Sequence, residues 1–329
     1  MSVKDLTALL GGLALFLYGM HMMNSGLEAA AGNKMKQILE RLTTNRYLGV
    51  LVGMGVTAVV QSSSAVTVMV VGFVNSGMMT LRQAVGVIMG ANIGTTITGQ
   101  LIALDVGAVA PLIAFVGVAL VLFFQWPGAK NIGTIVAGLG ILFIGMEMMG
   151  NAMMPLQESE YFIRLMTKFS NPLFGIAAGA AFTALIQSSS ASVGILQALA
   201  AGGAISFSGS VYVLFGQNIG TCITALLASV GTCRNAKRTT IIHFMFNVIG
   251  TILFTILCMN TPLTTWVAGL TPGNPMAQIA NMHTIFNIGT TCCLLPVAGH
   301  LVTMAEKILP DKKEKKQWQR NMMEKKEEA

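Results

Sequence analysis

Charge is what this sequence has least of. Lysine, arginine, aspartate and glutamate make up 10% of its 329 residues, against roughly a quarter in soluble domains. So little charge cannot clothe a water-facing surface, which excludes an ordinary soluble class. Cysteine is scarce and unpatterned. Cys222, Cys233, Cys258, Cys292 and Cys293 show no CxxC and no disulfide or ligand spacing, and read as small packing residues. No serine sits in a GxSxG setting, and no metal-ligand cluster is apparent, so the chain reads as a non-enzyme without a cofactor. The net charge of +7 does not point to nucleic acid. Eight of the 20 basic residues fall between Lys307 and Lys326, interleaved with acids. That tail, 305–329, reads as a solvated or membrane-surface segment on the cytoplasmic side.

What is abundant is apolar length. The chain is 53% hydrophobic with a mean hydropathy of +0.69. Leu6–Met23, Gly107–Gln125, Ile132–Met149 and Thr239–Met259 each approach the ~20 residues that span hydrocarbon. The class is a multi-pass membrane protein, with a cell-membrane location expected. The start, with Lys4 and small residues near Ala31, has some features of a signal peptide. However, the segment Gly12–Met20 recurs in mid-chain, where no signal peptide can be, so it reads as a structural helix.

The recurrence has a constant offset of 126 residues. Gly12, Gly19 and Met20 match Gly138, Gly145 and Met146, and Thr57 and Ala58 match Thr183 and Ala184. Gln61-Ser-Ser-Ser-Ala65 matches Gln187-Ser-Ser-Ser-Ala191, and Asn92-Ile-Gly-Thr95 matches Asn218-Ile-Gly-Thr221. No gap interrupts the match, so the chain divides into two copies of one unit. The first covers 1–130, and the second covers 131–304 with an extra C-terminal helix.

Within each copy an apolar stretch is interrupted by Gln-Ser-Ser-Ser. About 47–77 and 171–203 are too long for one crossing and too short for two. Irregular backbone at membrane depth survives only inside protein or against a cavity, so both read as re-entrant helical hairpins with the polar residues at their tips. Three crossings between the copies would invert the second. The basic residues Lys34, Lys36, Arg41 and Arg46, set against the near-neutral loop of Glu158, Glu160, Arg164 and Lys168, agree with that inversion. The expected fold is all-α, with about seven spans, two hairpins and the N-terminus outside. Inverted repeats with broken segments at the midplane are the architecture of secondary transporters.

Together the tips and the Asn-Ile-Gly-Thr segments offer hydroxyls, carboxamides and freed backbone groups. Helix N-termini there favour anions, while neutral oxygens suit a hard cation such as sodium. Arg82, whose counterpart is Ser208, reads either as the single guanidinium holding an anion or as a loop cap at the membrane surface. Carboxylates are scarce in the apolar runs, which favours sodium over protons. His21 falls at the position of Glu147 in the other copy, so both are expected to face the bundle interior. His243-x-x-Phe-Asn247 and His283-x-x-Phe-Asn287 place His and Asn on one helix face, a pattern that reads as interhelical scaffold.

At the paired Gln-Ser-Ser-Ser motifs, Gly90-Ala-Asn-Ile-Gly-Thr-Thr96, Thr80-Leu-Arg-Gln83 and the His-x-x-Phe-Asn helix, the sequence resembles the type II sodium–phosphate cotransporter family. The resemblance implies sodium-coupled symport of inorganic phosphate by alternating access, sodium being the coupling ion. It implies that Gln61, Ser62, Ser63, Ser64, Gln187, Ser188, Ser189 and Ser190 help bind sodium and phosphate. Asn92, Thr95, Thr96, Asn218 and Thr221 would complete the pocket, with Arg82 near the anion. One departure is that Gln217 and Cys222 occupy positions where the family more usually has a small residue and Thr. Larger bacterial relatives carry a domain resembling the phosphate-signalling protein PhoU, and here a short charged tail is expected instead. Another oxyanion such as sulfate or arsenate, a channel, and a membrane phosphate sensor are the alternatives. The oligomeric state stays open, a homodimer included.

Overall fold

The computed structural model describes residues 3–31, 38–39, 45–104, 106–126, 128–156 and 159–311. Lys34, Lys36, Arg41, Asp105, Glu158 and the tail beyond Asp311 lie outside the described residues. Nearly everything described is helical, with no strand among the described residues. The first unit comprises α1 (Val3–Ala31), α2 (Arg46–Val60), α3 (Ser63–Asn75), α4 (Leu81–Ile102) and α5 (Ala110–Phe123). Next come α6 (Ala129–Met153), α7 (Glu160–Thr167), α8 (Pro172–Ile186), α9 (Ser189–Ala201), α10 (Phe207–Gly220) and α11 (Cys222–Ala228). The chain closes with α12 (Arg234–Asn260), α13 (Leu263–Leu270), α14 (Pro275–Leu294) and α15 (Ala298–Ile308).

Local chemistry sets several of these boundaries. Asn45 Oδ1 accepts from the N–H of Tyr47 at 2.9 Å and opens α2. Thr80 and Gln83 form a reciprocal capping box at the start of α4. Asn171, followed by Pro172 in the first turn, opens α8 in the same manner. Gly77 (φ 75°) and Gly203 (φ 65°), also 126 residues apart, supply the left-handed backbone that turns α3 into α4 and α9 into α10.

Five helical segments are long and apolar enough to cross a membrane: Val3–Ala30, Leu81–Ile102, Ala129–Met153, Phe207–Ala228 and Arg234–Asn260. The pair α14 and α15, bent by 83°, brings the number to six if it forms one span. The chain is a multi-pass membrane protein, but the seven crossings expected from sequence are too many by this measure. The stretch 107–125 accounts for the difference. A 3-10 turn at Gly107–Val109 leads into 14 α-helical residues, together about 27 Å of helix, a little short of a hydrocarbon thickness of about 30 Å. Outward-facing Leu112, Phe115, Leu122, Leu173 and Leu185 are all highly exposed, the pattern of a surface whose solvent is lipid.

Glycine brings the helices into backbone contact. Gly12 packs on the carbonyl of Gly145, and Gly19 on that of Gly138, so α1 and α6 run antiparallel and exchange equivalent positions. In the first unit, a Cβ on Gly53 would lie 2.2 Å from the carbonyl oxygen of Val87, and one on Gly90 2.0 Å from that of Val50. In the second, Gly179 meets Val213 O at 2.0 Å and Gly216 meets Ile176 O at 2.0 Å. Every one of these residues is displaced by 126 from its counterpart, so the α2–α4 and α8–α10 pairs pack in one register. Overpacking of this kind costs about 1–3 kcal/mol or more. Gly90→Ala should therefore lower the unfolding temperature in detergent clearly, whereas Gly55→Ala, whose added Cβ meets nothing within 4 Å, should leave it unchanged or slightly raised.

Candidate ion and substrate site

Both Gln-Ser-Ser-Ser motifs fold into the same two-residue junction. At the end of α2, Gln61 turns left-handed (φ 59°, ψ 20°), and at the end of α8 Gln187 does likewise (φ 59°, ψ 19°). Among the described residues these two alone are non-glycine with positive φ. A left-handed residue with a Cβ costs roughly 1–2 kcal/mol, and such strain concentrates at functional elements. The N–H groups of Gln61 and Gln187 close on Thr57 O and Thr183 O, each at 2.7 Å. Ser62 and Ser188 then cap the following helices, accepting from Ala65 N and Ala191 N, each at 3.2 Å. Each junction thus sets the carbonyl end of one helix beside the amide end of the next, a negative and a positive partial charge within two residues.

The two junctions meet. Ser63 Oγ and Ser189 Oγ lie 3.5 Å apart, both side chains buried. Ser190 Oγ reaches Gln61 O and Thr98 Oγ1, each at 3.5 Å, and Thr98 Oγ1 donates to Gln61 Oε1 at 2.7 Å. The equivalent set 126 residues away, Ser64, Gln187 and Thr224, is not joined in this way. Gln187 is exposed where Gln61 is 2% exposed, and Thr224 Oγ1 turns back to Thr221 O at 3.0 Å. A symmetric motif therefore holds an asymmetric set of contacts.

The Asn-Ile-Gly-Thr segments line the flanks. Asn92 and Asn218 donate to Ile88 O and Leu214 O, each at 2.9 Å, while Thr96 and Thr221 bond carbonyls of their own helices. Asn218 Oδ1 also faces α14, with His283 Nε2 at 3.3 Å and Asn287 Nδ2 at 3.4 Å. Asn247 Nδ2 lies 3.3 Å from Cys222 Sγ. Asn247, His283 and Asn287 thus reach across to other helices, whereas His243 is buried with neither ring nitrogen partnered. They also leave capacity: Thr57 Oγ1, Thr95 Oγ1, Gln217 Oε1, Asn247 Oδ1, Asn287 Oδ1 and Thr290 Oγ1 are buried with no hydrogen-bond partner. Unpartnered oxygens in a dry interior are costly, and each of these keeps a lone pair free for a further partner.

Arg82 is not brought to this cluster. It is exposed in the first turn of α4, sixteen residues before Thr98, or about 24 Å along the helix. Of its two readings, the one at the membrane surface agrees with this position. His21 and Glu147 are exposed rather than interior, because the α1–α6 contact uses the glycine face instead. Cys222 is buried as expected of a packing residue, but Cys233, Cys292 and Cys293 are exposed. Sequence reading left out Thr98 as a partner of Gln61. It also left out Gln197, which ties α9 to Gly99 O at 2.9 Å and Met276 O at 3.0 Å. Gln197 follows Ser189 by eight residues on α9, so its helical spacing was the available signal.

The model of the family described as Na+/Pi-cotransporter matches residues 15–151 and again 152–271. The chain belongs to the Na+/Pi-cotransporter family. Uncharacterized protein YqeW of Bacillus subtilis is 32% identical over 91% of this chain and 97% of its own length. YjbB of Escherichia coli K12, named as a candidate inorganic phosphate export protein, is 27% identical over 93% of this chain and 56% of its own. Human sodium-dependent phosphate transport protein 2B is 38% identical over 38% of this chain and 19% of its own. No solved structure matches. For this cotransporter-family chain, Thr98→Val should lower stability by about 1–3 kcal/mol by stranding the buried Oε1 of Gln61. Thr224→Val, whose hydroxyl bonds only its own helix, should change it by less than half as much. Thermal unfolding of the two variants in one detergent makes the comparison.

Proposed function

We propose that this chain carries inorganic phosphate across the cell membrane together with sodium ions, by alternately exposing a site where the two Gln-Ser-Ser-Ser junctions meet. The 3.5 Å approach of Ser63 to Ser189 carries the reading. Two helix N-termini, those of α3 and α9, converge there and favour an anion. The carbonyl ends of α2 and α8, with the neutral oxygens around Asn218, suit sodium. Phosphate is the substrate in the names of relatives over both long and short matches.

The antiparallel exchange of Gly12 and Gly19 with Gly145 and Gly138 supports two halves of inverted topology, 1–130 and 131–304, each carrying a re-entrant hairpin. The excess of Lys and Arg supports a cytoplasmic location for Arg46 and the tail. Transport then follows from exchanging the asymmetry. In one state Ser190, Thr98 and Gln61 are joined and Gln187 is open. In the opposite state Ser64, Thr224 and Gln187 take those contacts and Gln61 opens.

Energetics sets the coupling. One charge moved through 100 mV is worth about 2.3 kcal/mol, so a phosphate dianion entering a negative cell faces roughly twice that. Two sodium ions cancel the charge, and a third makes entry electrically favourable. The name of YjbB supports a second reading in which net flow is outward. A symporter permits both directions, since the summed gradients set the flow.

Labelled phosphate uptake into proteoliposomes tests this. Uptake should require sodium and fall to background in potassium or choline, and vesicles loaded with phosphate and sodium should release it. Ser63→Ala and Ser189→Ala should each lower uptake about 5- to 30-fold, the loss of one or two hydrogen bonds to a charged ligand. Equal uptake in potassium would remove the coupling ion, and normal uptake in both variants would remove the site. Stronger competition by sulfate or arsenate than by phosphate would reassign the substrate. Binding without accumulation would make the protein a sensor.

A further inference from the structure

The helix α4 begins far from the serine junctions, and its first turn lines a separate cleft of ≈ 350 Å³. Arg82 and Gln83 contribute from α4, Arg46 from the first turn of α2, and Gly299 from the first turn of α15. Val85 and Val302 form an apolar part of the wall. A Cβ on Gly86 would lie 2.3 Å from the carbonyl of Arg46, so α4 rests directly on the start of α2 and both guanidinium-bearing residues border one space.

The charge balance of this cleft is one-sided. Arg46 has weak neighbours: Pro296 O at 3.4 Å, Tyr47 Oη at 3.3 Å, and the Tyr47 ring with its centroid at 5.0 Å. Arg82 has no hydrogen bond or ion pair among the described residues, and no carboxylate is among the residues lining the cleft. Two like charges beside one cavity repel unless an anion sits between them. The positive ends of α2, α4 and α15 add to the same field, and α15 has no side-chain cap on its first amides. Guanidinium groups match phosphate oxygens in geometry as well as charge.

We propose that this cleft binds a phosphate group at the membrane face, carried by an anionic phospholipid or present as free inorganic phosphate. This goes beyond the transport site, which lies about 24 Å away along α4. The test uses the full chain in phosphatidylcholine nanodiscs, in a Ser63→Ala/Ser189→Ala background, so that the cleft and the serine site fail separately. Phosphatidylglycerol and inorganic phosphate are the two probes, and retention is read by native mass spectrometry and by radiolabel binding. Arg46→Gln/Arg82→Gln should weaken at least one probe about tenfold or more. Gly299→Trp keeps both charges and fills the cleft, and its Cβ meets nothing within 4 Å; it should weaken the same probe. Loss of phosphatidylglycerol alone assigns the lipid headgroup, and loss of inorganic phosphate alone assigns the free ion. Unchanged affinity for both probes in either variant overturns the proposal.

Discussion

A helix that stops inside hydrocarbon leaves carbonyls and amides that lipid cannot satisfy. This chain interrupts two apolar helices, at Gln61 and at Gln187, and must meet the same demand for polar partners, around which the rest of the molecule is arranged. The left-handed glutamines and the capping serines satisfy part of each break locally. What remains is sheltered by the other break, where Ser63 faces Ser189. A polar group that finds its partner only across the midline also becomes available to a ligand once that partner moves.

Close packing makes the shelter possible. Side chains would hold α2 and α4 too far apart for their polar ends to converge. Gly53, Gly90 and Gly94 let backbone lie on backbone, and Gly179, Gly216 and Gly220 repeat the arrangement. In lipid, where apolar side chains gain little from meeting each other, association through small residues is the expected route. The same device carries α1 against α6. The stacked rings of Phe215 and Phe286, 4.9 Å between centroids, fasten α10 to α14 near Asn218, which holds that flank of the site in place.

Much of this was legible in the sequence, for a definite reason. A repeat at constant offset fixes which residues are equivalent, and the Gln-Ser-Ser-Ser interruptions lie where a broken helix is the only economical reading of thirty apolar residues. The turns at Gly77 and Gly203 and the caps at Thr80 and Asn171 follow from local chemistry alone. Arg82 was harder to assign because proximity in sequence to a hairpin says nothing about direction along the helix that follows, and α4 carries Thr98 rather than Arg82 to the junction. Thr98 itself was invisible as a partner, because its contact with Gln61 is set by the angle between two packed helices. The stretch 107–125 falls short of a span because its helix ends at Phe123, a boundary that hydropathy does not register.

The asymmetry between equivalent residues is the least expected feature and the one with most bearing on mechanism. Gln61 is bonded and buried while Gln187 is open, although both sit in the same backbone conformation. If the halves take turns, contacts absent from this structure must form in its counterpart. Oxidative cross-linking of Ser64→Cys/Thr224→Cys, in membranes and with native cysteines replaced, measures that most directly. Alternation of the two halves requires a disulfide for this pair that sodium and phosphate modulate, alongside one for Thr98→Cys/Ser190→Cys in the present state. A Ser64/Thr224 pair that never cross-links under any ionic condition, while Thr98/Ser190 always does, would contradict it.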